Sequence, residues 1–356
     1  MGDNPSRSAN ATAGDLGMTP RHARGAGYGS SPSNFNEPPL GGGGVLAKKS
    51  RFSIETGFRG LSTASGAMVL VIIVAIAVFL ISKAIPALQA NNGDFLTQFE
   101  WAPNDARPTF GIAALAFGTV LSSIIALIVA VPIAMAIALF LSHYAPKRLA
   151  TPLGFVIDLL AAVPSVVFGL WGRDVLQVPV RDFSLWLNEY FGWIPLFGGD
   201  GPFGQSVMLG GLVLAIMVLP IVTSLSREVF QQTPGMNEEA ALALGATRWE
   251  MIRTAVLPYG KPGVIAAVML GLGRALGETI ALALTLSVAF DISFNLIENG
   301  GNSIAANIAN SFGEATDTGR GALIASGLVL FTITLVVNMT ARAIIYRRRE
   351  FRDNAA

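Results

Sequence analysis

The sequence predicts an all-α integral membrane protein with six transmembrane helices. Hydrophobic residues make up 52% of the 356-residue chain and charged residues only 13%, whereas a soluble globular domain carries about 25% charged residues. The mean hydropathy of +0.56 fits a chain whose surroundings are mostly lipid. A helix of about 20 apolar residues crosses a bilayer core about 30 Å thick, and six stretches of the chain reach that length.

The predicted spans begin after a long polar stretch at the N-terminus. Residues 1–55 are rich in Gly, Ser, Pro and Asn and cannot bury enough apolar surface to offset the entropy of ordering them, which predicts a disordered tail. Residues 56–350 form the predicted membrane domain, in which lipid-embedded helices tolerate internal prolines such as Pro164. The six predicted spans are Ser62–Pro86, Gly111–Ser142, Thr151–Trp171, Val207–Ser226, Gly263–Phe290 and Ala322–Tyr346.

The positions of Lys and Arg predict the orientation of the spans. Connections on the cytoplasmic side of a membrane carry an excess of Lys and Arg. Most of these residues precede span one, follow span six, or lie between spans two and three and between spans four and five. The opposite set of connections holds only Lys83, Arg107, Arg173, Arg181 and Arg320. We therefore expect a multi-pass protein of a bacterial plasma membrane with both termini in the cytoplasm.

The composition disfavours several classes of function. The chain has no cysteine and only two histidines, His22 and His143, so a thiolate or histidine metal site is not expected. A net charge of +1 offers no basic face for nucleic acid. No lysine lies in a Gly-x-x-x-x-Gly-Lys-[Ser/Thr] loop, so ATP is not expected to bind here. No nucleophile motif or metal-ligand cluster suggests a membrane-embedded enzyme.

The connection between spans four and five, about 227–262, is long and has a regular pattern. It predicts two short helices on the membrane surface, separated by a glycine turn. Asn237 is expected to cap the first helix, and Gly245 is expected to end it in a left-handed conformation. The second helix is expected from Thr247 to Ala255, stopping before Pro258 because proline interrupts helices.

This connection resembles the signature of ABC-importer permeases, in which Glu-Ala-Ala is followed at fixed spacing by Gly and by Ile-x-Leu-Pro. Ala255 occupies the isoleucine position, which is a departure from the pattern. The resemblance implies the type I permease core, with a coupling helix that docks on a separate ATPase subunit carrying ATP and Mg. This chain would then hold no cofactor and would not be an enzyme. The matching residues are Glu239, Ala240, Ala241, Gly245, Leu257 and Pro258.

The ionisable residues Asp158, Arg274 and Glu278 fall inside predicted spans. A charge at the bilayer centre costs about 2.5–3.5 kcal/mol or more, so such residues usually face a cavity or one another. Arg274 and Glu278 are four residues apart and would share one face of a continuous helix. They are expected either to serve an anion pathway or to form a structural ion pair. Asp158 could simply make local hydrogen bonds, and Gly273-x-x-x-Gly277 is expected to form a close helix contact.

The segments 270–279 and 162–172 are similar to those of phosphate-importer permeases. Such importers use two permease types, PstC and PstA, and the Gly-Leu-Gly-Arg-Ala-Leu-Gly-Glu form fits the PstC type better. The resemblance implies a phosphate pathway at Arg274, Glu278 and Thr279. It also implies a second homologous permease, two ATPase subunits and an extracytoplasmic phosphate-binding protein as partners. The alternatives are the paralogous permease, or a permease for another oxyanion or small solute.

Overall fold

A computed structural model describes the backbone of residues 54–353 and the side chains of residues 57–343. The chain divides into Met1–Ser62 and Thr63–Ala356, and the helices that pack against one another belong to the second part. The predicted N-terminal tail lies outside the described residues, except that Ile54 and Glu55 begin the first helix.

Helices account for most of the described chain, which confirms the all-α prediction. A two-stranded antiparallel hairpin, β1 (Trp101–Ala102) and β2 (Thr109–Phe110), is the one addition among the described residues. The helices are α1 (Ile54–Ala90), α2 (Ala113–Leu139), α3 (Lys147–Ala161), α4 (Ser165–Trp171), α5 (Gln177–Phe191), α6 (Val207–Gln231), α7 (Gly235–Ala243), α8 (Arg248–Met251), α9 (Leu257–Leu276), α10 (Ile280–Thr285), α11 (Ile304–Ser311) and α12 (Asp317–Asp353).

Three π turns join neighbouring helices or extend them. They cover Phe140–Tyr144 after α2, Gly172–Leu176 between α4 and α5, and Ile252–Val256 between α8 and α9. Within the described residues, five helical segments are long and apolar enough to cross a membrane, and a sixth crossing forms if α3 and the α4–α5 pair count as one span. The five are Gly57–Ala90, Ala113–Tyr144, Val207–Gln231, Arg248–Leu276 and Asp317–Ala343.

The third span is broken, so the prediction of a continuous helix from Thr151 to Trp171 is wrong. Helix α3 ends at Ala161, and the segment that begins at Ser165 is bent from it by 90°. Pro164 explains the break, because it lacks an N–H and disfavours helical geometry at Val163. Pro164 itself adopts φ −58° and ψ 138° immediately before α4.

The fifth span also differs from its prediction as Gly263–Phe290. It begins earlier, at Arg248, and its helix ends at Leu276, before the separate short helix α10. Gly277 ends α9 with φ −92° and ψ 3°, as its low helix propensity allows. The carboxylate of Glu278 then accepts a hydrogen bond from the N–H of Ala281, at 3.1 Å, which satisfies an otherwise unpaired donor in the first turn of α10.

Helix α6 is the most buried of the spans and forms the centre of the packed region. Four alanines of α2, spaced four residues apart, are fully buried on one face; the first three belong to the core cluster around α6, and the fourth packs in the neighbouring cluster of Phe230. Small residues at this spacing let two helix backbones approach closely, which is how spans associate in lipid. The four are Ala126, Ala130, Ala134 and Ala138.

Glycines of α9 also make close contacts with α6. A Cβ at Gly260 would lie 2.9 Å from the ring of Phe230, and one at Gly271 would lie 2.7 Å from Val218 and 2.9 Å from Val222. The prediction of a close helix contact at Gly273-x-x-x-Gly277 is wrong within this chain, because an added Cβ at Gly273 would meet nothing within 4 Å. The tightly packed face of α9 is therefore the one that carries Gly271.

Two alanine substitutions on α9 should distinguish its packed face from its open face. Gly271→Ala overpacks the contact with α6 and should lower the free energy of unfolding by about 1–3 kcal/mol. Gly273→Ala enters open space and should leave it nearly unchanged. Thermal unfolding of the purified proteins in one detergent measures both. Equal destabilisation by the two variants would contradict this assignment of the packed face.

Candidate functional site

The first short helix of the cytoplasmic connection, α7, begins three residues earlier than predicted, with Pro234 in the capping position instead of Asn237. Asn237 is not its cap, because the N–H of Asn237 already donates to the carbonyl of Pro234 at 3.0 Å, inside the helix. The end of the helix is as predicted: Gly245 has φ +86°, a left-handed conformation that glycine adopts without steric cost. The N–H of Gly245 donates to the carbonyl of Leu242 at 3.0 Å.

The second short helix does not stop before Pro258, so that prediction is wrong. Thr247 and Glu250 form a reciprocal capping box that starts α8. The following π turn carries the chain into α9, with the N–H of Leu257 donating to the carbonyl of Ile252, five residues back. The wider turn accommodates a proline, which lacks an N–H. Leu257 and Pro258 therefore belong to one continuous helix from Arg248 to Leu276.

Helix α7 presents one face to the protein and one to solvent. Ala241 packs against the cluster of Phe230, Met251 and Ile252. Glu239 and Ala240 are exposed, and Leu244 after them is 90% exposed. The exposed residues of α7 and its end thus form a surface of small and apolar side chains with a carboxylate, which we call the α7 face.

An interaction absent from the sequence predictions anchors α7 to the end of α2. His143, whose side chain is only 9% exposed, has its Nε2 atom 3.4 Å from Oε1 of Glu238. A carboxylate can only accept, so Nε2–H is the donor. Nδ1 of His143 lies 2.7 Å from the hydroxyl of Ser142. Because His143 and Glu238 lie 95 positions apart in the chain, no local sequence signal could have indicated this contact.

The His143–Glu238 contact should hold α7 in place. His143→Phe, which keeps a ring but loses both nitrogens, should remove about 1 kcal/mol of interaction and speed amide exchange in α7 about fivefold. Glu238→Gln should have a similar effect, and the double variant should add little to either. Hydrogen exchange followed by mass spectrometry measures this. The matched control is Glu239→Gln, on the α7 face, and acceleration by that control alone would contradict the assignment.

Arg274 and Glu278 do not form the ion pair that a continuous helix would give, so the prediction that they share one helix face is wrong. Arg274 lies in the last turn of α9, while Glu278 is buried beyond the helix end and binds the N–H of Ala281. Thr279 follows in the same break, where its hydroxyl donates to the carbonyl of Gly277 at 3.3 Å. Because of the break, Arg274 lies within α9, whereas Glu278 and Thr279 hydrogen-bond to the backbone between α9 and α10.

Arg274 lines a cavity of about 560 Å³ between α6, α9 and α12, which we call the arginine cavity. The Nε atom of Arg274 is inaccessible to solvent and unpaired, and the side chain has no hydrogen-bond or ion-pair partner among the described residues. An uncompensated guanidinium inside a span is a strong attractor for an anion. The cavity is lined by Ile221, Leu270, Gly273, Arg274, Asn338 and Arg342, among others.

Asp158, which also falls within a predicted span, has partners inside the chain. Its carboxylate accepts a hydrogen bond from Ser224 at 2.6 Å and lies 3.6 Å from a terminal nitrogen of Arg227. Gly154 leaves room for that guanidinium, since a Cβ there would collide with it. Asp158 thus fastens α3 to α6 through partners on another helix, whereas the sequence suggested only local hydrogen bonds.

The fold and the site define a multi-pass membrane permease. Apolar spans surround a cavity that Arg274 and Arg342 help to line, and the surface helix α7 packs against the start of the span Arg248–Leu276. The chain belongs to the family of binding-protein-dependent transport system inner membrane components, whose model matches residues 130–350. That range includes every predicted site residue. The family prediction is confirmed, and the chain is a permease subunit of an inner membrane, not an enzyme on its own.

Curated relatives cover most of the chain. The phosphate transport system permease protein PstC 2 of Mycobacterium tuberculosis is 47% identical over 292 residues, which is 81% of this chain and 90% of that protein. The PstC protein of Xylella fastidiosa is 41% identical over 294 residues, 82% of this chain and 90% of its own length. The resemblance to PstC-type permeases is thereby confirmed.

A solved structure supports the fold independently. A bacterial ABC transporter involved in import of the acidic polysaccharide alginate aligns with a TM-score of 0.51 at 18% identity. The alignment covers 80% of this chain and 97% of that one. At this identity the likeness concerns the fold alone.

Proposed function

We propose that this chain is a permease subunit of an ATP-driven importer of inorganic phosphate and forms half of its pore. The observation that carries the proposal is the unpaired guanidinium of Arg274 in the arginine cavity. A guanidinium binds a phosphate-like oxyanion through two parallel hydrogen bonds and so replaces part of its hydration shell. The names of the PstC relatives support phosphate as that anion.

The break after α9 completes the proposed pathway. Glu278 holds the start of α10 through Ala281, and Thr279 bonds the carbonyl of Gly277, so the chain is fixed three to five residues beyond Arg274. Fixed backbone at this position keeps the guanidinium oriented without neutralising it. Glu278 and Thr279 therefore shape the pathway, whereas Arg274 contacts the anion.

Coupling to ATP hydrolysis is assigned to the α7 face. The exposed carboxylate of Glu239 and the small side chain of Ala240 suit insertion into a groove of a cytoplasmic ATPase subunit, which supplies ATP and Mg. Movement of α7 reaches the pore because Ala241 packs on Met251 and Ile252, which lie at the start of the continuous helix that ends near Arg274.

The complete importer then needs a second homologous permease, two ATPase subunits and an extracytoplasmic phosphate-binding protein. The excess of Lys and Arg in the connection that carries α7 supports its location in the cytoplasm, together with both termini. The second permease supplies the other half of the pore. The surfaces of the spans that remain exposed in this chain are available to that subunit and to lipid.

The turn at Gly245 provides a test of coupling. Valine at a left-handed position costs about 1–2 kcal/mol, whereas asparagine tolerates it. An added Cβ at Gly245 would meet nothing within 4 Å, so the effect is conformational alone. Gly245→Val should weaken association with the ATPase subunit and reduce uptake at normal membrane abundance, while Gly245→Asn should retain both. Equal behaviour of the two variants would argue against a role for this turn.

Arg274 provides the test of the pathway. In vesicles reconstituted with all subunits, ATP-dependent uptake of labelled phosphate should occur, and excess sulfate should inhibit it only weakly. Arg274→Gln should lower uptake about 10-fold to 100-fold, as expected for loss of a charge-assisted contact of about 1.5–3 kcal/mol. Arg274→Lys keeps the charge but loses the planar fork and should be intermediate.

The matched control for Arg274→Gln is Arg320→Gln. Arg320 lies in the first turn of α12, outside the arginine cavity, and its guanidinium is 6.0 Å from the ring centroid of Phe312. That variant removes the same charge outside the cavity and should transport normally. Phosphate uptake by Arg274→Gln at the wild-type rate would remove Arg274 from the mechanism, and absence of phosphate uptake by the wild-type complex would overturn the proposed substrate.

A further inference from the structure

The arginine cavity contains a second guanidinium, contributed by another helix. Arg342 of α12 lines the cavity opposite the residues of α9, together with Arg274. No Asp or Glu is among the described residues that line this cavity. Two like charges around one cavity repel each other and favour an anion between them.

Several other arginines of the described chain have partners within it. Arg227 lies 3.6 Å from Asp158, Arg181 lies 3.1 Å from Asp182, and Arg320 stacks on Phe312. Arg342, like Arg274, has no hydrogen-bond or ion-pair partner among the described residues. The donors of the cavity are therefore available to a guest.

The other residues that line the arginine cavity also favour binding of an anion. Asn338 precedes Arg342 by four residues, so both lie on one face of α12, and its amide adds a neutral donor. Apolar residues such as Ile221 and Leu270 form much of the lining. Apolar walls lower the local dielectric and make each charge-assisted hydrogen bond stronger than in water.

We propose that the arginine cavity is a binding site for a phosphate-class oxyanion, held between Arg274 and Arg342 with Asn338 as a third contact. The assignment rests on the proposed function and extends it, because it adds Arg342, which lies toward the predicted cytoplasmic end of α12, to the groups that contact the anion. Two sources share this chemistry, free phosphate in transit and the headgroup of an anionic lipid.

Uptake kinetics of the reconstituted importer test the site. Arg342→Gln and Asn338→Leu are compared with wild type and with Arg320→Gln, using inorganic phosphate as the probe. Arg342→Gln should lower phosphate uptake about tenfold or more, which corresponds to loss of one charge-assisted contact. Arg342→Lys should recover part of it, and Asn338→Leu should lower uptake by a smaller factor. Membrane abundance of each variant is measured alongside.

The lipid composition of the vesicles distinguishes the two sources. A defect of Arg342→Gln that is equal in purely phosphatidylcholine vesicles and in vesicles containing phosphatidylglycerol assigns the site to free phosphate. A defect that appears only with phosphatidylglycerol assigns it to a lipid headgroup. Wild-type uptake by Arg342→Gln and Asn338→Leu in both vesicles, at normal abundance, would overturn the site while leaving the proposed function intact. Failure of the wild-type complex to import phosphate would instead refute the proposed function.

Discussion

The structure depends on one constraint: inside a bilayer, every charge and every backbone polar group must find a partner within the protein or its cargo. Asp158 meets it through Ser224 and Arg227. Glu278 meets it by accepting from Ala281, and in doing so it stabilises the break between α9 and α10. Arg274 does not meet it within the described chain. Its unpaired guanidinium gives the arginine cavity a positive charge that favours an anion.

The same constraint accounts for the packing. Without a hydrophobic driving force between helices in lipid, close approach of backbones supplies the association energy. The alanine face of α2 and the glycine face of α9 pack closely on α6 for this reason. The opposite side of α9 carries Gly273 and Arg274 and lines the arginine cavity. One helix thus has a structural face and a face open to the cavity, and it leads directly from the surface connection.

The sequence was sufficient for features that depend on local chemistry. Hydropathy indicated the spans, and the glycine pattern of the connection indicated the left-handed turn at Gly245. Hydropathy does not register the break at Pro164, because the residues around it are as apolar as a continuous span. At Gly277 the flanking Arg274 and Glu278 were interpreted as charges on one continuous helix, so the break there was not expected either. The face of α9 that packs on α6 depends on tertiary contacts, so Gly273 could not be distinguished from Gly271. The His143–Glu238 contact joins residues far apart in the chain and has no sequence signature.

The central claim, that Arg274 and its cavity form an anion path, can be tested directly because the chain has no cysteine. A single Gly273→Cys variant places a thiol on the cavity wall, where an added side chain has open space. In the assembled importer, an anionic methanethiosulfonate should label this thiol about tenfold faster than a cationic one, since positive potential concentrates anions. Phosphate should slow that labelling, and Arg274→Gln should remove most of the preference. Equal labelling by both reagents, or faster labelling by the cationic one, would contradict the account.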